Sequence, residues 1–287
     1  MTEIGETIKK IRRGKGILQK DLYKGIVSKT FATQFEKGVH RINADAFLEI
    51  LDRLLMTSKE FQRIHNDFQI NDYTELSYAI SDAINQKDIN RLEALQKKLD
   101  SYQHIVQNSL LKALTNMNIA RIKGKDLAED DPNVKVILRF LSKIDSWTMS
   151  DVAFLTNFIP FIPYEMLIFQ VKIIEERLKS QNEVRLLCYF YNNLLDRIFL
   201  EEDYKNAKQI SARLKEVATD PEFLFFYLIA QVYSDLIDMN DKYDEGCMER
   251  INAIIIFLNQ HTSFDLNEDL GRAIQKLKEK NKDFSAF

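Results

Sequence analysis

Cysteine, histidine, proline and glycine are all scarce in this 287-residue chain, and each shortage removes a class of function. The two cysteines, Cys188 and Cys247, lie in apolar helical contexts, so a disulfide scaffold is excluded and buried thiols in a reducing compartment are expected. Four histidines (His40, His65, His104 and His261) are scattered without ligand spacing, which argues against a metal site. Gly14-Lys15-Gly16 lacks the third glycine of a dinucleotide fingerprint, and there is no phosphate-binding loop pattern. The chain therefore reads as a non-enzyme with no cofactor. The most apolar run, Ile251 to Leu258, is short and interrupted by Asn252, far below the ~20 residues of a membrane span. The N-terminus reads as an amphipathic helix without the apolar centre of a secretory leader, so a soluble, cytoplasmic protein with no membrane partner is expected.

Charge is abundant but unevenly placed. Residues 1 to 41 hold ten Lys and Arg against four acids (Glu3, Glu6, Asp21 and Glu36), a formal +6; the whole chain is −3, so residues 42 to 287 carry −9. Positive charge gathered at one end is the electrostatic footprint of a surface for a polyanion, followed here by an acidic body.

The basic segment has helical order. Ile4, Ile8 and Ile11 fall at i, i+4, i+7, with Lys9, Lys10, Arg12 and Arg13 on the wet side, and Gly14-Lys15-Gly16 ends this first helix. A second helix is expected from about Leu18 to Ile26, with Leu22 and Ile26 facing inward. Ser28 then caps a third, which Gly38 closes with a left-handed residue, and its Lys, Thr and Gln side chains project outward. Two helices joined by a tight turn, the second presenting polar side chains, form a helix-turn-helix that seats one helix in the DNA major groove. Asn43 is the expected cap of a fourth helix with Phe47, Ile50, Leu51 and Leu54 inward, and Ser58 of a fifth carrying Phe61, Ile64 and Phe68. This bounds a DNA-binding domain at residues 1 to 68.

Ile11-Arg12-Arg13-Gly14-Lys15, Gln19-Lys20, Val27-Ser28-Lys29 leading to Phe35-Glu36-Lys37-Gly38, then Phe47, Ile50-Leu51 and Glu60-Phe61 together resemble the Rgg/GadR/MutR family of Gram-positive transcription regulators. That family joins an Xre-type helix-turn-helix to tetratricopeptide-like repeats. The resemblance implies a cytoplasmic homodimer that binds promoter DNA under the control of a short imported signalling peptide. It also implies an internal ion pair between Arg12 and Glu36, holding the first helix to the third without touching a base. Leaving such a buried acid without its partner would cost roughly 3 kcal/mol or more.

For DNA, Thr33 and Gln34 can offer hydrogen bonds to base edges, Ser28 and Lys29 suit the backbone, and Thr30 belongs to the same contacting set. Gln19, at a helix start, can reach a phosphate, and Arg13 and Lys15 are free to do the same, a solvated basic face being the plainer reading. Phe31 stands where comparable proteins more often have a polar residue. It either meets a thymine methyl or fills the space beside the small Ala32.

From residue 70 to 287 strand signals are nearly absent, and amphipathic stretches follow one another at roughly 73–86, 88–103, 105–122, 133–144, 149–160, 164–180, 183–200, 203–218, 222–239, 243–260 and 266–281. The four prolines (Pro132, Pro160, Pro163 and Pro221) mark helix ends. Asp203-Tyr204-Lys205-Asn206-Ala207 and Lys242-Tyr243-Asp244-Glu245-Gly246 align 39 residues apart, each with an aromatic residue three before a small one, as in tetratricopeptide-type pairs. The expected fold is all-α: a five-helix head, then a curved helical solenoid.

The concave side of such an array suits an extended peptide, whose backbone asks for groups that both donate and accept. Asn157, Asn192 and Asn193 sit mid-helix, where asparagine has poor propensity, and are the leading candidates; Arg121, Arg185, Tyr227 and Gln231 follow. Phe158-Ile159-Pro160-Phe161-Ile162-Pro163 either walls a ligand groove or forms a buried corner. Trp147-Thr148-Met149-Ser150-Asp151 only partly matches the family's pattern after its tryptophan, and no role is carried over to it. Dimerisation is expected through the helices near Ile251 to Leu277. The competing reading is a tetratricopeptide-type adaptor for proteins with a vestigial helix-turn-helix, which predicts no salt-sensitive duplex binding.

Overall fold

The computed structural model describes residues 3–67, 72–102, 108–125, 127, 130–144, 147–240, 242–262 and 266–280, and among these every regular element is helical. Contacts divide the chain into two compact units, Met1–Ala79 and Ile80–Phe287.

The first unit holds α1 (Ile4–Gly14), α2 (Gln19–Leu22), α3 (Lys29–Phe35), α4 (Ala44–Arg53) and α5 (Ser58–His65). Ile8, Ile11, Leu22, Ala32, Phe35, Ile50, Leu51, Leu54 and Phe61 close over one core. Apolar side chains on one stripe of each short helix have to share a single interior, because none of these helices is long enough to be stable alone. The second helix is shorter than its periodicity suggests. Gly25 adopts φ +81°, and the amides of Ile26 and Val27 turn back to the Tyr23 carbonyl, so the chain leaves the helix after one turn. Ser28 Oγ accepts from the Phe31 amide at the start of α3, and Gly38, at φ +76°, makes the left-handed exit beyond its end. The fifth helix is capped by Thr57, whose hydroxyl accepts from the Glu60 amide, with Ser58 as the first helical residue; both are hydroxyl residues, and the backbone chose the earlier. Phe68 lies outside the described residues.

The second unit continues with α6 (Asp72–Asn85, which begins in the first), α7 (Ile89–Leu99), α8 (Asn108–Ile122), α9 (Pro132–Leu141), α10 (Met149–Phe158) and α11 (Tyr164–Ser180). It ends with α12 (Val184–Leu200), α13 (Tyr204–Val217), α14 (Leu224–Asp238), α15 (Glu245–His261) and α16 (Leu266–Lys280). Each helix from α12 to α16 packs on the next, while α10, α12, α14 and α16 also touch one another across the helix between. Only the inner helices of a curved array approach that closely, so these four form the inner layer and α11, α13 and α15 the outer one. Ala207 is fully buried and the Tyr204 ring meets Phe199 edge-on, as the repeat pattern asks. Its second copy is shifted: α15 is capped by Asp244, two residues later than the Asp203 cap of α13 in the aligned register, so Cys247 rather than Gly246 takes the buried position. No helix among the described residues is long and apolar enough to cross a membrane.

Candidate nucleic-acid interface and repeat-domain groove

Within the head, Arg12 and Glu36 meet as a buried fork, Nε to Oε1 at 2.7 Å and Nη2 to Oε2 at 2.8 Å, with Arg12 Nη1 donating to the Ile17 carbonyl at 2.8 Å. Two parallel charge-assisted bonds fix the planar guanidinium more tightly than one could. The bond to Glu36 raises the Arg12 pKa against the opposing effect of burial. Burial first, and Glu36 second, push the neighbouring Tyr23 phenol far up. The same carboxylate accepts from Gln19 Nε2 at 3.1 Å, and Gln19 Oε1 stands 3.3 Å from Thr33 Oγ1, which is also 2.9 Å from the Lys29 carbonyl. A chain of polar contacts thus runs from the buried Arg12 to Thr33 on the recognition helix.

Ser28, Lys29 and Thr30 are exposed at the start of α3, and Gln34 is half-buried, its carbonyl taken by the amides of Val39 and His40. Arg13 is exposed at the end of α1, whereas Lys15 Nζ reaches the Leu54 carbonyl at 2.6 Å. Phe31 is half-buried against the core and stacks on His40, ring centres 5.2 Å apart and 21° from parallel. A close approach the spacing did not reveal involves Gly5, where a Cβ would stand 1.8 Å from the Phe35 carbonyl oxygen. The one signal available was a glycine inside a helical pattern.

In the repeat unit two of the seven candidate ligand contacts, Asn192 and Asn193, meet on α12 beside α10. Asn193 Nδ2 donates to the Thr156 carbonyl at 3.0 Å, tying α12 to α10, and Asn192 Nδ2 points to Asn193 Oδ1 at 3.3 Å, leaving Asn192 Oδ1 buried with no hydrogen-bond partner. Asn157 is exposed and bonds back to the Ala153 carbonyl at 3.0 Å. The others are dispersed. Gln231 joins Lys215 and Asp235 between α13 and α14, Tyr227 is exposed, and Arg185 pairs with Glu222 and lies 6.0 Å over the Phe223 ring. Arg121 lines a cavity with Pro160, Phe161, Ile162 and Pro163, so that apolar corner has both a buried and an open side. The Trp147 step has a local role: Thr148 and Asp151 cap each other at the start of α10, and the Trp147 carbonyl accepts from Arg177 Nε at 2.9 Å. Among the described residues no group of three His, Cys, Asp or Glu side chains is placed to hold a metal ion.

A cationic helix-turn-helix head and a two-layered repeat array are the two parts of a helix-turn-helix transcription regulator. Residues 90–268 match the family described as HTH-type transcriptional regulator Rgg, C-terminal domain, and the chain belongs to that family. Similar folds include a protein of Listeria monocytogenes EGD-e described as a transcriptional regulator (TM-score 0.78, 24% identity, 96% of this chain on 97% of that one). The SHP pheromone receptor Rgg2 of Streptococcus dysgalactiae follows (TM-score 0.68, 15% identity, 97% on 100%), with PrgX in its cCF10 complex (TM-score 0.64, 17% identity, 98% on 94%). These likenesses are of fold.

Proposed function

We propose that the chain is a cytoplasmic, sequence-specific transcription regulator, a homodimer whose grip on promoter DNA is set by a short apolar signalling peptide on the inner layer of its repeat unit. The observation that supports it best is the polar chain from Arg12 through Glu36 and Gln19 to Thr33. It holds Thr33 on α3 in place before DNA arrives, so that side chain has little freedom left to lose on binding. Thr33 and Gln34 face base edges, while Ser28, Lys29, Thr30, Arg13 and the amide of Gln19 hold phosphates, with Phe31 bracing the helix against His40. The unfilled Asn192 oxygen beside Asn193, near Asn157, supports the peptide site. In that reading Arg121, Arg185, Tyr227 and Gln231 belong to its surroundings.

Two heads related by the dimer axis would meet successive major grooves about 34 Å apart, and the peptide acts by its differential affinity for two poses of the heads. The test is an anisotropy titration of a promoter duplex with and without candidate apolar peptides. Thr33→Ala combined with Gln34→Ala erases sequence preference and spares weak non-specific binding, while Asn157→Ala and Asn193→Ala weaken the peptide and leave the duplex alone. Retained preference in the first pair, or unchanged peptide affinity in both of the second, would sink the respective assignment.

A further inference from the structure

The ends of α8 and α12, the corner at 160–163 and α16 line a half-open cavity of about 390 Å³ in the repeat unit. Arg121, Lys125, Arg197 and Arg272 line it, and the one acid among its lining residues is Asp196. Four cations against one acid give a formal +3, in a body that carries −9 over residues 42 to 287. Asp196 already accepts from Tyr233 Oη at 2.7 Å. Arg197 pairs with Glu201 at 2.8 Å on the next turn, yet its Nε is buried without a hydrogen-bond partner. None of the ion pairs between side chains that the structure describes involves Lys125 or Arg272.

Like charges gathered on low-dielectric walls raise the local potential and draw in a counter-ion. Guanidinium forks match a planar carboxylate, and the Phe161-Ile162-Pro163 wall suits an apolar group attached to it better than a bare, strongly hydrated anion. At ~30 Å³ per water the space equals on the order of a dozen waters, room for one or two residues or a small organic acid rather than a whole peptide. We propose that this cavity binds a carboxylate carried on an apolar body. The carboxylate has two possible sources: the C-terminal end of the signalling peptide, which rests on the reading above, or a free small organic acid, which does not.

The test uses the full chain and two probes. A fluorescein-labelled pool of hexapeptides of Leu, Ile, Val and Phe, made as free acids and as C-terminal amides, is titrated by anisotropy; 4-phenylbutyrate and inorganic phosphate are titrated by calorimetry. Each is repeated on the Lys125→Gln, Arg272→Gln double variant, whose exposed side chains can change without disturbing the core and whose melting curve is checked against the parent. If the peptide end is the source, acids bind about tenfold tighter than amides, and the variant loses that advantage while amide binding stays as it was. If a free acid is the source, acid and amide peptides bind alike and 4-phenylbutyrate binds the parent about tenfold better than the variant. Absence of any carboxylate-dependent, variant-sensitive binding from both probes overturns the proposal, as does preference for phosphate over 4-phenylbutyrate. Should no hexapeptide bind in either form, the peptide reading fails alone, and the 4-phenylbutyrate titration still decides the cavity.

Discussion

Gly5 lies in the first helix with only hydrogen facing the end of α3, and the 1.8 Å that separates its virtual Cβ from the Phe35 carbonyl leaves no room for a methyl group. A glycine inside a helix gives up roughly 0.5–1 kcal/mol relative to alanine, and the close contact of α1 with the recognition helix is what offsets it here. Gly5→Ala is expected to lower stability by about 2 kcal/mol or more and to weaken duplex binding by moving α3; an unchanged melting temperature would refute it. Cys188 is fully buried, and burial pushes its thiol up to about 11, so at pH 8 roughly one molecule in a thousand carries the reactive thiolate. Labelling with a disulfide reagent should count Cys188 only after denaturation, and native labelling should quicken as pH rises toward 11; prompt reaction at pH 8 would contradict the burial. At this scale the sequence shows residue types but not their partners. Arg12 and Glu36 are 24 residues apart, Asn193 reaches a carbonyl 37 residues away, and no local spacing measures either distance.

Caps and periodicity made most of the elements legible, because both act within a turn or two of chain. Ser28 and Asn43 accept from the backbone amide three residues on, and Pro132 and Pro221 stand at the first position of their helices. The misreadings share a cause. Where two neighbours could each do the job, as Thr57 and Ser58 could, or where a glycine could end a helix early, as Gly25 does, the choice rests on how the ends pack and not on the local pattern. The reciprocal cap at Thr148 and Asp151 starts α10, the inner helix whose Thr156 carbonyl holds Asn193. Thr148→Ala should cost about 1 kcal/mol in stability and, by loosening α10, reduce peptide affinity more than duplex affinity. Equal losses in both assays would show that the cap serves general stability alone.

For the whole molecule the unequal charge has a measurable consequence. With +6 over residues 1 to 41, duplex binding should fall about a thousandfold between 50 and 200 mM salt if some six phosphates are neutralised. Peptide binding, resting on apolar burial and short polar contacts, should change far less over the same range. A duplex affinity indifferent to salt would favour the adaptor reading instead. Helix content, the sign of each end of the chain and the polar face of α3 were set by the sequence alone, since each depends on residues within a few positions of one another. Tertiary structure decided which helices form the inner layer, which asparagine keeps a buried oxygen without a hydrogen-bond partner, and that cations from the ends of α8 and α12 and from α16 share one cavity. Those are meetings between residues up to 151 positions apart, from Arg121 to Arg272, and only packing brings such residues to the lining of one cavity.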